Sequence, residues 1–358
     1  MTAALTSTAV TDIAVLGPDP GFGGGGAAQL EAFLVAAAAL GRTTEIHYGR
    51  MPSRSRPVDA ANQFAFARRV APRLRDAHEL WVVATSAANG YAAALSGRPY
   101  CAWIGTGLEE EWAGRRPGLR PSRRLAIRVN GPVLRKMERL VLAGARRVYA
   151  TSPYSRASVA RAGRLDVGEV GILPLPVDLE HFTPASDDDW QATLDDPVLV
   201  FVGRANDPRK NVGLLLDALP QLPGVQALLV GEPPDTPLPE RAQATGVVPS
   251  IAPFLRRGTM LVLPSHQEGF GIVGAEAMAA GLPVVTTPSG GPEALVRDSR
   301  GGVVLSGFSA EELADRVRTL LDDPARLAYM RRKGREYVAR EHSPERLRTL
   351  LGRALTSP

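Results

Sequence analysis

The sequence predicts an α/β protein of two doubly wound domains that face a central cleft. Three observations carry that prediction. Short β-branched runs alternate with amphipathic helical stretches along the chain, which is the pattern of parallel sheets. The alternation stops once, in a proline- and aspartate-rich stretch around residues 174–189, and then restarts. The turns that carry glycine and charge follow strands and precede helices, where doubly wound folds place their ligands. A chain of 358 residues has room for two such domains.

In the first half, strands are expected at 13–16, 44–47, 80–84, 100–104, 148–151 and 170–173. The first is followed by Gly21-Phe22-Gly23-Gly24-Gly25-Gly26 and a helix over 27–40. Gly21, Gly23 and Gly26 match G-x-G-x-x-G, but a dinucleotide site also needs an acid at the end of the second strand. Glu45 lies inside that strand, and His47, Tyr48 and Gly49 end it, so the fit to NAD is poor. The loop still offers N–H groups across a cleft to a phosphate or an acceptor.

The second half restarts with strands at 198–202, 227–230, 259–263, 283–286 and 302–305. We place the boundary between residues 176 and 189: a first domain over 1–178, a second over 179–342, and a last helix over 344–355, within 343–358, packing back across the first domain. The loop after 198–202 reads Gly203-Arg204-Ala205-Asn206-Asp207-Pro208-Arg209-Lys210-Asn211. Arg204 and Lys210 can point at a diphosphate, Arg as a fork and Lys as a point charge, while Arg209 reads as solvated. Lys210 is one of only three lysines beside 39 arginines, which makes it worth notice.

After the strand at 259–263 comes Glu268-Gly269-Phe270-Gly271-Ile272-Val273-Gly274-Ala275-Glu276, opening a helix over 272–280 that Gly281 and Pro283 stop. Glu268 sits in the loop, and Glu276 is expected about two turns into the helix. Each carboxylate can take hydroxyl donors from a different part of one long polar ligand. Pro288-Ser289-Gly290-Gly291-Pro292-Glu293 repeats the strand–turn–helix plan, with Glu293 a helix N-terminal charge or a ligand contact.

The bulk numbers exclude some classes. The single cysteine, Cys101, rules out a disulfide framework and fits a reducing cytosol. Residues 1–11 lack the features of a signal peptide and read as a tail, and no apolar run has the length of a membrane span. The five histidines are scattered, so no metal cluster is expected. A net charge of +5 suits an anionic ligand without selecting one, and no nucleic-acid motif appears.

Taken together, these motifs resemble the retaining glycosyltransferases of family 4, which have the GT-B fold of two Rossmann-like domains. The resemblance covers nearly the whole chain. It rests on the Gly-rich first loop, on Ala150-Thr151-Ser152-Pro153-Tyr154-Ser155, on Pro176-Val177-Asp178-Leu179-Glu180-His181-Phe182 and on Gly203-Arg204 with Lys210. Strongest are residues 264–285, with Glu268 and Glu276, and Gly290-Gly291-Pro292-Glu293. The resemblance implies that Glu276 accepts from the ribose hydroxyls of a nucleotide-diphosphate sugar and Glu268 from the donor sugar. The backbone of Phe270, Gly271, Ile272 and Val273, with Gly203 and Gly25, would lie along the donor. Arg204 and Lys210 would stabilise the leaving diphosphate in place of a metal, with Glu268 the third catalytic residue. No cofactor is implied beyond the donor.

Two departures bear on the acceptor and the base. Ile104 stands where many family members have a histidine before Gly105, so Gly24, Gly105 and Thr106 are the residues left to line the acceptor side. Residues 232–259 are short and proline-rich, so the base is not legible. The stretch from Trp112 to Arg147 carries eleven basic residues and one acid, Glu138. There Val133, Leu134, Met137, Leu140 and Val141 form one apolar helical face, read as core-packing beneath a solvated basic face. A membrane-surface patch is the sharper alternative. The expected protein is thus a cytoplasmic transferase, with contact at the inner membrane face as a variant. Its acceptor is a small molecule or natural product, or a lipid or polysaccharide precursor. The rival readings are a non-catalytic sugar-nucleotide-binding subunit and an NAD-type oxidoreductase.

Overall fold

The computed structural model describes residues 12–18, 25–49, 59–115 and 121–356. The first part of the chain runs β1 (Ile13–Pro18), α1 (Gly25–Ala39), β2 (Thr44–Gly49), α2 (Asp59–Val70), β3 (Glu79–Ala84), α3 (Tyr91–Ser96), β4 (Cys101–Ile104), α4 (Leu108–Arg115), α5 (Pro121–Gly144), β5 (Arg147–Ala150), α6 (Pro153–Gly163) and β6 (Val170–Ile172). Its six strands form one sheet in the order β2-β1-β3-β4-β5-β6. Every pairing is parallel, for example Val15 beside Ile46 and Trp81.

The second part runs α7 (Asp187–Ala192), β7 (Val198–Val202), α8 (Val212–Ala218), β8 (Gln226–Val230), β9 (Ala242–Ala244), α9 (Ala252–Leu255), β10 (Met260–Leu263), α10 (Ile272–Ala279), β11 (Val284–Thr286), α11 (Gly291–Ser299), β12 (Gly302–Val304), α12 (Ala310–Leu321), α13 (Pro324–Glu341) and α14 (Pro344–Thr356). The sheet order is β12-β11-β10-β7-β8-β9, again all parallel in its ladders. The apolar runs Val198–Val202 and Met260–Leu263 are buried because helices cover both faces of such a sheet.

Both orders reverse once. In the second sheet the reversal lies between β7 and β10, the position where open α/β sheets leave a crevice beyond their carboxyl ends. The loops after these two strands are the ones that hold Arg204, Lys210 and Glu268.

One apolar cluster joins the two parts. It includes Phe33, Trp81 and Trp103 under the first sheet, Leu173, Leu175, Val177 and Phe182 in the connection, and Val200, Leu261 and Phe270 in the second part. It also takes in Leu347, Leu351 and Ala354 of α14, which lies on α1, with Gly352 close to Leu40. The connection is tied at both ends: Trp103 Nε1 donates to Leu173 O at 2.9 Å, and Val177 N donates to His342 O at 2.7 Å.

Several expectations are corrected. The aspartates read as linker form the first turn of α7, where acids complement the helix dipole and Ser186 Oγ accepts from Asp189 N–H. The short strand β9 lies in the proline-rich segment and exists through pairing with β8 rather than through strand-forming residues. The single apolar face expected on α5 is divided: Met137 and Val141 are buried, but Val133 is 47% and Leu140 45% exposed. Residues 1–11 and the loop expected over 21–24, including Gly24, lie outside the described residues.

Candidate active site

The loop after β7 turns sharply. Gly203 adopts φ +140°, and Gly231 packs so close that a Cβ on it would meet Gly203 O at 2.2 Å. Asp207 then caps a 3-10 turn over Pro208–Lys210, accepting from Arg209 N–H at 3.1 Å, and Asn211 takes the left-handed conformation. This turn sends Arg209 and Lys210 toward the loop after β10.

Glu268 is buried there, and both oxygens of its carboxylate accept hydrogen bonds. Lys210 Nζ donates to Oε1 at 2.7 Å, Ser265 Oγ donates to Oε1 at 2.9 Å, and Arg209 Nη1 donates to Oε2 at 3.1 Å. Burial pushes the carboxyl up, but Lys210 and Arg209 outweigh it and hold it at about 2. The expectation that Arg209 is solvated is therefore wrong. Its side chain is 15% exposed, and Nη1 also reaches Gln267 O at 3.0 Å. Burial lowers the Arg209 pKa, while Glu268 and Asp207 raise it by more. Arg204 is more open and pairs with Asp207 at 3.3 Å.

Gly271 is left-handed, φ +77°, and starts α10. A Cβ there would meet Pro292 Cγ at 2.4 Å, so glycine is required on two counts. Among the described residues, the N–H groups of Ile272 and Val273 have no backbone acceptor, as first-turn amides of a helix do not. Glu276 is the fifth residue of α10, one turn in rather than two. It is half-buried, with no hydrogen-bond or ionic partner among the described residues. Burial alone pushes its carboxyl up to about 7.

Phe270 contributes only backbone to this surface. Its ring is buried 4.8 Å from the ring of His342, which lies 3.0 Å through Nδ1 from Leu175 O. His266 lies tilted against Phe308, with ring centroids 4.9 Å apart, and Glu293 pairs with Arg297 along α11, the reading of a helix N-terminal charge.

The first part of the chain closes on this loop. Ser152 Oγ donates to Gly269 O at 2.8 Å, and Ser155 Oγ lies 2.9 Å from the same oxygen and 2.5 Å from Gly105 O. Thr106 is buried beside Gly269, with its N–H on Thr85 O and its hydroxyl unpartnered among the described residues. Gly25 is exposed at the start of α1, with open space where a Cβ would stand. The Ser-Pro pair at 152–153 signals a helix start in the sequence. Nothing local signals that these hydroxyls reach residue 269.

This arrangement is that of a GT-B protein: two parallel-sheet domains with charged and glycine-bearing loops turned toward each other. Residues 196–323, which span most of the second domain, match the family described as Glycosyl transferases group 1. The chain is 31% identical to the D-inositol 3-phosphate glycosyltransferase of Arthrobacter sp. (strain FB24) over 209 residues, 52% of this chain and 49% of that one. It is 31% identical to the protein of the same name from Segniliparus rotundus over 239 residues, 59% of this chain and 53% of that one. The chain spans about half the length of these curated relatives. In fold it is similar to sucrose-phosphate synthase from Thermosynechococcus elongatus, with TM-score 0.77 and 21% identity over 96% of this chain and 98% of that one. HepE of Anabaena, solved in complex with UDP and glucose, gives TM-score 0.70 and 18% identity over 97% and 100%.

Proposed function

We propose that this protein is a glycosyltransferase that moves a hexose-type sugar from a nucleotide-diphosphate sugar to a hydroxyl-bearing acceptor. We read the reaction as retaining, metal-independent and cytoplasmic. The observation that carries the proposal is Glu276: a carboxyl set back from water, one turn into α10, with no donor among the described residues. A ribose offers two adjacent hydroxyls, and a carboxylate accepts them without strain. The N–H groups of Ile272 and Val273, without a backbone acceptor among the described residues, lie at the start of the same helix and suit a diphosphate. Arg204 and Lys210 would add positive charge where the leaving group becomes negative. Glu268 would take a donor-sugar hydroxyl on the remaining lone pair of Oε2. The names of the relatives support the class, and the acceptor remains a small molecule, natural product, or lipid or polysaccharide precursor.

A thermal-shift series with nucleotide sugars tests this. A true donor at a hundred times its dissociation constant stabilises by about 2.7 kcal/mol. Glu276→Ala is expected to abolish that shift. Glu268→Ala is expected to keep nucleotide binding and lose turnover by roughly a hundredfold. Full activity in both variants would sink the assignment.

A second surface favours contact with an anionic membrane. Leu125, Val129, Val133 and Leu140 stand exposed on α5, at 62%, 60%, 47% and 45%. Arg128, Arg135, Lys136 and Arg139 are exposed on the same helix. Apolar side chains beside basic ones are the composition of an interfacial helix. No helix among the described residues is long and apolar enough to cross a membrane. Co-sedimentation with vesicles rich in phosphatidylglycerol is the check, and a protein that stays in the supernatant at low salt has no such surface.

A further inference from the structure

Glu268 has two cations, one on each oxygen, and they differ in freedom. Lys210 reaches Oε1 through a flexible stem that ends in three donors. Arg209 reaches Oε2 from a fixed base: its N–H is held by Asp207, its carbonyl accepts from His266 N–H at 2.8 Å, and its Nη1 is shared with Gln267 O. The two residues are neighbours in sequence, and the 3-10 turn over Pro208–Lys210 aims them at opposite oxygens of one carboxylate. Acidic groups also bear on Arg209 from two directions, Asp207 in its own loop and Glu111 on α4. Arg115 of α4 bears in turn on Asp207.

The consequence appears when a diphosphate arrives. Were Lys210 the sole cation, turning it to a phosphate would leave a buried carboxylate without compensation, a heavy penalty. We propose that Arg209 is the resident counter-charge of Glu268, which frees Lys210 to leave that carboxylate and serve the donor's diphosphate. Arg209 is then a positioning residue that touches neither sugar nor phosphate. The inference rests on the nucleotide-sugar reading above and adds to it the residue that makes Lys210 transferable.

Calorimetric titration with UDP, GDP, ADP and dTDP at fixed ionic strength tests it. Arg209→Met is expected to weaken the nucleoside diphosphate that binds the unaltered protein by at least about tenfold, and Arg209→Lys to recover most of the loss. The decisive comparison is in a Glu268→Gln background. With no carboxylate to neutralise, Arg209→Met should there cost less than about threefold. Melting curves near that of the unaltered protein show that each variant is folded. Tight binding that Arg209→Met leaves unchanged, or an equal loss in both backgrounds, overturns the inference alone. Absence of any nucleoside diphosphate binding by the unaltered protein overturns the donor reading and the inference with it.

Discussion

Glu276 and Glu268 are glutamates of one loop–helix unit, yet their surroundings push them in opposite directions. Burial raises Glu276 to about 7 from 4.5, so between those values the folded protein holds a proton that the unfolded chain has released. Stability contributed by this group therefore falls as pH rises from 4.5 to 7 and stays low above it. Glu276→Gln removes the penalty. It is expected to raise the melting temperature by several degrees at pH 8, for a gain of at most about 3 kcal/mol, and to change nothing at pH 4. Nucleotide binding should be lost in the same variant. A lower melting temperature at pH 8 would mean that the carboxylate has a partner in the folded state. Glu268 has the reverse sign: its folded value of about 2 gives stability above pH 4.5 that is lost as pH falls toward 2. The residue types were legible in sequence, since carboxylates, glycines and basic residues at strand ends already point to a polar anionic ligand. The engagement of Arg209 was not. It depends on a 3-10 turn and on Asn211 at φ 50°, which bring Arg209 to a glutamate 59 residues further along the chain.

The elements that were legible are those whose burial is complete and periodic. The run Val198–Val202 has no polar residue to misplace, and its limits were read to the residue. β9 was missed because three residues with alanine at both ends carry no strand preference of their own. The face of α5 was misjudged for a different reason. Its buried side includes Asn130, Gly131 and Glu138, and none of these registers in a hydrophobic period. Glu138 is buried because it accepts Leu108 N–H at 3.1 Å at the start of α4, and burial raises it to about 8. With that side recognised, the exposed apolar row of Leu125, Val129, Val133 and Leu140 stands out as unneeded by the core. The double variant Leu125→Glu, Val129→Glu should leave stability within about 0.5 kcal/mol. It should also abolish binding to anionic vesicles, if the unaltered protein binds them. A large loss of stability would instead place those residues in the core.

At the scale of the molecule, two sheets, the connection and α14 share one apolar cluster, and among the described residues Ser152 and Ser155 tie the facing loops through Gly269 O. It is glycines that let the seam close. A Cβ on Gly290 would lie 2.6 Å from the Tyr154 ring, and a Cβ on Gly114 would lie 2.4 Å from Gln267 Cβ. Gly114 is the more informative site. It lies in α4, where a larger residue improves helix propensity, and the atom it would strike is the base of Gln267, not a movable tip. Gly114→Leu is thus a wedge that spares its own helix and acts on the distance between the domains. Because transfer needs donor groups and acceptor within about 3.5 Å of one another, a shift of about 1 Å suffices to cost a hundredfold. The expected variant melts near the unaltered protein, still binds nucleotide through the second domain, shows a larger radius of gyration by solution scattering, and has lost turnover. Retained turnover would mean that the contact between α4 and the Glu268 loop is not part of the working arrangement. Equal loss of nucleotide binding would mean that the first domain shapes the donor site itself.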